Sequence, residues 1–263
     1  MNGYYGLGVY NRVDVAISRL QAFCPPEGYH LAFSGGKDSI VLLDLAKKAG
    51  VKYDVHMSLT TVDPPELIKY VKKHYSSEVE FDKPALSMFQ LIEKKLFPPT
   101  RKFRYCCRVL KETRGSGRIV LTGVRHQESY RRAKRKLVEF CLKDGHRRFV
   151  HPIIDWTNTE IWEYILVNKI PYCSLYDEGF RRIGCIGCPM ASKKERKKEF
   201  ERWPRYKDRY LKSFDRLVQL RKDMGKELKD FKTGQQLFDW WMNDFPRPYA
   251  QNDDSEGYAL IYE

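Results

Sequence analysis

The chain has 263 residues, 42% of them hydrophobic, which is enough to bury one sizeable core with an appended segment. It has no run of about 18 apolar residues and no basic-then-apolar signal pattern, so we expect a cytoplasmic protein with no membrane partner. The 48 Lys and Arg residues exceed the 34 Asp and Glu residues, and the net charge of +14 favours polyanionic partners. A solvated basic surface is the alternative.

Predicted strands and helices alternate through the first half of the chain. Strands are expected at residues 30–33, 51–57, 78–81 and 118–122. Helices are expected at 9–23 and then with ends near Lys48, Tyr75 and Lys95. Such alternation is typical of parallel strands joined by right-handed crossovers. The pattern predicts an α/β fold, in which a parallel, twisted sheet carries helices on both faces.

The second half of the chain is less regular. Residues 137–141 and 148–154 are expected to form paired strands. Thr157 and Glu160 have the spacing of a capping box, which predicts a helix that ends near Asn168. From Ser192 onward, basic side chains alternate with aromatic ones at helical spacing, which predicts a basic helical segment.

A glycine-rich turn follows the first predicted strand and opens into an apolar helix. Its residues are Ser34, Gly35, Gly36, Lys37, Asp38 and Ser39. Such a junction points backbone N–H groups and the positive end of a helix dipole at one spot, which suits a phosphate. The glycines allow close approach, Lys37 adds a positive charge, and the two serines add hydroxyl donors. We expect Asp38 either to ligate Mg²⁺ or to cap the helix; a plain capped glycine turn is the alternative.

The turn lacks the spacing of a Walker A loop, which has four residues between its glycines and ends in Lys-Ser or Lys-Thr. It resembles the pyrophosphate loop of the ATP pyrophosphatase superfamily. This resemblance implies an adenine nucleotide as ligand and an adenine nucleotide alpha hydrolase-like fold. The nucleotide would be either ATP, split between its α- and β-phosphates, or a sulfonucleotide.

A second group of candidate ligands follows the fourth predicted strand. Gly123, Arg125 and Arg131 lie just past the end of that strand. Arginines at this position can bind a phosphate or sulfate through two parallel hydrogen bonds. We expect them to clamp the nucleotide or an acceptor phosphate, and a solvated helix face is the alternative.

Four of the seven cysteines occur as two close pairs. Cys106 and Cys107 are adjacent, and Cys185 and Cys188 form a Cys-x-x-Cys motif with an internal glycine. Adjacent cysteines rarely bond to each other because the ring is strained, so a shared external ligand is favoured. Four thiolates fit zinc or an iron–sulfur cluster, and four ordinary buried thiols are the remaining alternative.

Residues 28–190 resemble the phosphoadenosine phosphosulfate reductase family. The matching features, in chain order, are the glycine turn, Arg104-Tyr105-Cys106-Cys107 with Lys111, Gly123 with Arg125, Glu128-Ser129 with Arg131, Pro152 to Trp156, and Cys185 with Cys188. The resemblance implies that the four paired cysteines hold a 4Fe-4S cluster, with zinc as the alternative. It also suggests a cluster-bearing branch similar to the DNA phosphorothioation proteins.

One feature departs from the reductases of that family. Assimilatory sulfonucleotide reductases carry a nucleophilic cysteine near the C-terminus, whereas no cysteine follows Cys188 in this chain. A reductase without it would need Cys24, Cys141 or Cys173 as its nucleophile. The missing cysteine, the positive charge and the aromatic-basic helix at 193–212 therefore favour sulfur insertion into nucleic acid over sulfonucleotide reduction.

Three functions are compatible with these motifs. The favoured one is an ATP pyrophosphatase-type enzyme that adenylates a nucleic-acid oxygen for sulfur insertion, using Mg²⁺ and a sulfur donor such as a cysteine desulfurase-like protein. The second is an adenylyl sulfate or PAPS reductase that releases sulfite. The third is a non-catalytic nucleotide-binding subunit of a modification complex. We expect Lys37, Asp38 and Arg125 to be catalytic; the oligomeric state stays open.

The motifs divide the chain into four segments. Residues 1–27 form an N-terminal helix, and residues 28–191 form the nucleotide-binding α/β domain with its cysteine cluster. Residues 192–245 are the basic helical segment. Residues 246–263 are a tail rich in polar and acidic residues.

Overall fold

The computed structural model describes residues 11–112, 114–140 and 147–243. These residues form two compact units, each assembled from separate stretches of chain. The described part of unit 1 consists of residues 11–59, 64–83, 114–140 and 147–184, and that of unit 2 of residues 60–63, 84–112 and 185–243. The units group the residues differently from the predicted segments, since all four paired cysteines belong to unit 2.

Unit 1 contains a six-stranded sheet in the order β3-β2-β1-β4-β6-β5. The strands are β1 (Tyr29–Ala32), β2 (Tyr53–Ser58), β3 (Val79–Asp82), β4 (Ile119–Leu121), β5 (Val138–Phe140) and β6 (Arg148–Val150). All neighbouring pairs are parallel except β5 with β6, which is antiparallel. The predicted α/β fold with a mostly parallel sheet is confirmed, as is the pairing of the two strands around residues 141–147.

The described part of unit 1 contains four α-helices. They are α1 (Arg12–Ala22), α2 (Lys37–Ala49), α3 (Pro65–Tyr75) and α6 (Asn158–Val167). Helix α2 is apolar along most of its length and ends at Gly50, whose left-handed backbone (φ 63°) stops the helix. Helix α6 begins with the predicted capping box, in which Thr157 and Glu160 satisfy each other's backbone N–H groups. These local signals explain why both helices begin and end as expected.

The strand order of unit 1 reverses between β1 and β4. From β1 the chain continues outward through β2 and β3, whereas β4 and β6 lie on the other side of β1. Ligands of open parallel sheets bind beyond the carboxyl ends of the strands at such a reversal. The segments that follow β1 and β4 are therefore the place to look for a ligand site.

Unit 2 is helical in its described part. It contains α4 (Met88–Lys95), α5 (Tyr105–Leu110), α7 (Lys193–Arg202), α8 (Pro204–Asp223) and α9 (Gly234–Met242). Its core is aromatic: Phe200, Tyr210, Phe214, Phe238 and Trp241 are buried and pack on one another. The helical C-terminal segment is thus confirmed, and helix α5, which carries Cys106 and Cys107, was not predicted.

Some expectations concern residues outside the described part of the chain. Cys141 and the predicted tail at 246–263 are among them.

Within the described residues, no helix combines the length and apolar character that crossing a bilayer requires.

Candidate functional site

The glycine turn in unit 1 has the backbone that the phosphate hypothesis requires. It joins the end of β1 to α2, and Gly36 occupies the N-cap position. Gly35 has a left-handed backbone (φ 69°), and a Cβ atom there would lie 2.6 Å from Cγ2 of Val71. Glycine is therefore required at this position by both conformation and space.

The two serines of the turn bind each other and the turn backbone. Ser39 Oγ donates to the Gly36 carbonyl (2.9 Å) and accepts from the Ser34 backbone N–H (3.3 Å). Ser34 Oγ donates to Ser39 Oγ (3.2 Å) and accepts from the Gly36 N–H (3.4 Å). These bonds preorganise the loop at the N-terminus of α2, and both hydroxyl hydrogens are used within the turn in this conformation.

Asp38 and Arg125 form a partly buried ion pair beside the turn. Arg125 follows β4, and its Nε donates to Asp38 Oδ1 at 2.7 Å, while its Nη1 donates to the Trp156 carbonyl at 3.1 Å. The side chain of Arg125 is only 2% exposed. In the described part of the chain Nη2 has no partner, so it remains available to a ligand oxygen.

The same ion pair bears on the two roles predicted for Asp38. One carboxylate oxygen accepts from Arg125, and no hydrogen bond from the backbone of α2 to this carboxylate is found in the described residues. Its second oxygen lies 3.4 Å from Lys37 Nζ, so both oxygens face cations. In this conformation the carboxylate orients Arg125 and Lys37, and its predicted roles as Mg²⁺ ligand or helix cap stay predictions.

Gly123 permits the approach between the β4 segment and α2. A Cβ atom at this position would lie 3.0 Å from the backbone C and O atoms of Asp38. Any larger residue would push the segment that carries Arg125 away from the turn. Arg131, by contrast, is exposed and has no side-chain partner in the described residues, so the structure does not join it to the turn.

Tyr176 was not predicted to belong to this site. Its hydroxyl accepts a hydrogen bond of 2.8 Å from the backbone N–H of Lys37, and its ring packs edge-on against Trp162. Burial raises the pKa of Tyr176, so the hydroxyl stays protonated. Because Tyr176 lies far from the turn in sequence and in no motif, only the folded chain reveals this contact.

The four paired cysteines line one pocket in unit 2, together with Thr60, Lys111 and Tyr210. Cys106 and Cys107 lie on the short helix α5, and Cys185 and Cys188 lie in the loop that precedes α7. Gly187 bends this loop (φ 72°), and Tyr210 donates to the Ile186 carbonyl at 3.0 Å. All four are free thiols, so the structure brings together the residues that the spacing predicted.

The groups around the pocket favour a thiolate at Cys107. The hydrogen bond from Cys106 lowers the pKa of Cys107, and Arg104, whose Nη2 lies 3.6 Å from the Cys107 sulfur, lowers it further. The same bond and burial raise the pKa of Cys106. The electrostatic interaction with Cys185 raises the pKa of Lys111. Four sulfur donors beside two cations suit a negatively charged metal–thiolate centre, so the residues fit a 4Fe-4S cluster or zinc.

The basic segment after the cysteines differs from the prediction in one respect. Phe200, Trp203 and Tyr210 are buried in unit 2, at 5%, 6% and 1% exposure, so they offer no stacking platform for bases. The lysines of α7, including Lys193 and Lys194, are exposed. Tyr206, a further aromatic residue of this segment, is half-buried, and nucleic-acid binding by the segment stays a prediction.

Comparison with known proteins places the chain in a family. A family model described as the phosphoadenosine phosphosulfate reductase domain matches residues 28–191. The chain belongs to this family. The resemblance recognised from the turn, the arginines and the cysteines is thereby confirmed, whereas the narrower similarity to DNA phosphorothioation proteins stays a prediction.

Individual proteins match the chain at moderate identity. An uncharacterized protein of Methanocaldococcus jannaschii is 30% identical over 233 residues, which are 83% of this chain and 54% of that protein. The chain thus spans about half the length of this relative. The adenosine 5'-phosphosulfate reductase of Oceanobacillus iheyensis is 30% identical over 169 residues, which are 60% of this chain and 69% of that enzyme.

A solved structure shows the same fold. The phosphate complex of phosphoadenylyl-sulfate reductase from Candida auris superposes with a TM-score of 0.50 at 19% identity, covering 70% of this chain and 98% of that one. At this identity the similarity concerns the fold alone.

Proposed function

We propose that this family member is an ATP pyrophosphatase-type enzyme that activates a nucleic-acid oxygen for sulfur insertion. The observation that carries the proposal is the composition and packing of residues 189–263. Residues 189–263 contain no cysteine, and their described part packs as α7, α8 and α9. This stretch therefore cannot supply the nucleophilic cysteine that a sulfonucleotide reductase of this family uses.

The other two described cysteines are poorly placed to replace that nucleophile. Cys173 is completely buried. Cys24 precedes β1, and its sulfur lies 3.9 Å from the Lys52 carbonyl, at the amino ends of β1 and β2. The phosphate turn follows the opposite end of β1, a four-residue strand that spans about 13 Å. Burial therefore disfavours Cys173 as the nucleophile, and distance from the turn disfavours Cys24.

The residues of unit 1 support adenylyl transfer. The backbone N–H groups of the turn, Lys37 and Nη2 of Arg125 would hold the β- and γ-phosphates of ATP, whose Mg²⁺ would arrive with the nucleotide. A nucleic-acid oxygen would attack the α-phosphorus, and the bond to the β-phosphate would break. The departing pyrophosphate would be stabilised by these donors once the Lys37 N–H exchanges the Tyr176 hydroxyl, its acceptor in this structure, for a phosphate oxygen.

The second half of the reaction needs a sulfur donor. A persulfide sulfur from a cysteine desulfurase-like protein would displace AMP, and a thiol would then reduce the resulting disulfide to leave sulfur on the nucleic acid. Cys106, Cys107, Cys185 and Cys188 would hold a 4Fe-4S cluster, with zinc as the alternative. Such a cluster, when bound, can accept and hold a sulfur atom.

The lysines of α7 would attract the nucleic acid. Replacing Lys193 and Lys194 together by Glu should weaken the binding of tRNA or DNA. The slope of the logarithm of the binding constant against the logarithm of the salt concentration should fall by the equivalent of about one to two phosphate contacts. The control carries the same charge change in the same unit, at the exposed Lys222 and Lys229. Equal losses in both variants would mean that only net charge matters.

Adenylyl sulfate reduction is the second candidate, favoured by the 30% identity to a reductase over 60% of the chain. The deciding experiment incubates the anaerobically purified protein with ATP or with adenylyl sulfate and identifies the products. AMP and pyrophosphate, lost in Lys37→Ala but kept in Lys47→Ala, would support the proposal. Sulfite from adenylyl sulfate would favour the reductase. Nucleotide binding with no product would indicate a non-catalytic subunit.

A further inference from the structure

One face of the sheet in unit 1 carries polar side chains instead of apolar ones. His30 on β1 pairs with Asp54 on β2, and His56 lies two residues further along β2. Asp82 on β3 lies on the same face, because successive residues of a strand alternate between faces and β2 and β3 pair at Ser58 and Asp82. Three neighbouring strands thus bring two imidazoles and two carboxylates together, at a place that the nucleotide and cysteine sites do not use.

The ring nitrogens converge on one carboxylate oxygen. Asp54 Oδ2 lies 2.8 Å from His56 Nε2 and 3.3 Å from His30 Nδ1. The oxygen is buried, yet neither approach has hydrogen-bond geometry, and Oδ2 has no hydrogen-bond partner among the described residues. His30 is only 6% exposed. A buried carboxylate oxygen without a hydrogen-bond partner therefore faces two imidazole nitrogens.

These distances are those of donor atoms around one metal ion. Atoms bound to zinc at about 2.0 Å in a tetrahedron lie about 3.3 Å apart, and octahedral ligands lie slightly closer. The three donor atoms lie within 4.8 Å of one another. Two imidazoles with one carboxylate are a ligand set for zinc and similar transition metals rather than for Mg²⁺ or Ca²⁺, which prefer oxygen alone.

The neighbours of the three side chains have the arrangement that supports metal ligands. Arg118 Nη2 donates to the other oxygen of Asp54 and so fixes the carboxylate. The second ring nitrogen of His56, Nδ1, lies 3.5 Å from Asp82 Oδ2, and both atoms are buried without a hydrogen-bond partner in the described residues. Ligating histidines commonly present their free nitrogen to a carboxylate in this way.

We propose that His30, Asp54 and His56 bind one divalent transition-metal ion, with zinc as the test ion. The ligands lie on two hydrogen-bonded strands, so little rearrangement is needed for binding. Because β1 leads directly into Ser34 and the Phe33 N–H donates to the His56 carbonyl at 2.8 Å, the ion would fix the base of the phosphate turn.

The test measures zinc per chain by mass spectrometry after equilibrium dialysis, beside iron content and thermal unfolding. Wild type should bind one zinc ion per chain more than either His30→Asn or His56→Asn. The control His74→Asn, which changes an exposed histidine of α3, should bind as much zinc as the wild type. Zinc should raise the unfolding temperature of the first two proteins only. X-ray absorption should show this zinc with nitrogen or oxygen ligands at about 2.0 Å, unlike the sulfur ligands at about 2.3 Å of a cysteine site.

Three results would overturn the proposal. The first is equal zinc content in wild type and in both folded histidine variants. The second is zinc bound only through sulfur. The third is zinc lost in Glu80→Gln but retained in His30→Asn, since this would assign the ion to the neighbouring group of His56, Glu80 and Asp82.

Discussion

The hydroxyl of Tyr176 accepts a hydrogen bond from the backbone N–H of Lys37, 2.8 Å away, at the first turn of α2. A phosphate bound at the turn would use the same N–H group. Tyr176 therefore competes with the ligand in this conformation.

Tyr176→Phe should bind pyrophosphate more tightly, by about threefold to tenfold, because the Lys37 N–H loses its internal acceptor and gains one only from the ligand. Calorimetric titration with pyrophosphate measures the change. The control is Tyr172→Phe, which removes a hydroxyl bound to Asp177 from the same aromatic group. Weaker binding in Tyr176→Phe alone would mean that the hydroxyl contacts the ligand.

Asp38→Asn should lower the free energy of unfolding by about 2–4 kcal/mol, since it leaves the buried Arg125 charge without its counterion. Chemical denaturation measures this loss. The control Glu78→Gln removes an exposed ion pair with Lys47, which lies on α2 like Asp38. It should lower the free energy of unfolding by less than about 1 kcal/mol. Similar losses in both variants would show that burial of the Asp38–Arg125 pair contributes nothing.

Gly187→Ala should reduce the bound metal per chain by more than about half, because the new methyl group would meet Phe200 at 2.7 Å in the loop between Cys185 and Cys188. Metal analysis after anaerobic purification gives the result. Gly225 has a similar positive φ (69°) but nothing within 4 Å, so Gly225→Ala tests backbone strain alone. Full metal content in Gly187→Ala would mean that the loop does not need this tight packing.

The stability of the protein should fall between pH 6.5 and pH 4 through His151. The pKa of His151 is lowered from 6.5 to about 4, mainly because the ring is buried and secondly because the positive charge of Arg135 lies nearby. In this window the unfolded chain binds a proton that the folded chain does not, so the free energy of unfolding decreases as the pH falls, by about 2–3 kcal/mol.

Urea denaturation at pH 7 and pH 5 measures this slope. His151→Asn should lose the contribution of this residue, while His74→Asn, an exposed histidine, should keep the wild-type slope. An unchanged slope in a folded His151→Asn variant would contradict the assignment.

Sequence predicts those parts of the site whose determinants are local. The phosphate turn and the capping box of α6 each lie within a few consecutive residues, so their chemistry can be recognised before folding. Arg125 was predicted from its place after a strand, because strand ends in a parallel sheet meet at one edge. The cysteine pairs were recognised from spacing alone.

Other parts depend on contacts that no local pattern encodes. Tyr176 reaches the turn from a distant segment, and the His30, Asp54 and His56 group forms only when β1 and β2 pair in one register. Helix α5 has six residues, too few for a helical period to show. The aromatic residues of the basic segment favoured a nucleic-acid partner, since sequence does not show that Phe200, Trp203 and Tyr210 are buried in unit 2.

The assembly of unit 2 also sets an order of events during synthesis. Trp241 donates to the Pro99 carbonyl at 2.7 Å, and Tyr210 holds the loop of Cys185 and Cys188. When Cys106 and Cys107 leave the ribosome, the helices that close their pocket have not yet been made. The cysteine pocket can therefore be completed only late in translation, and a chain interrupted within α8 would expose reactive thiols to oxidation.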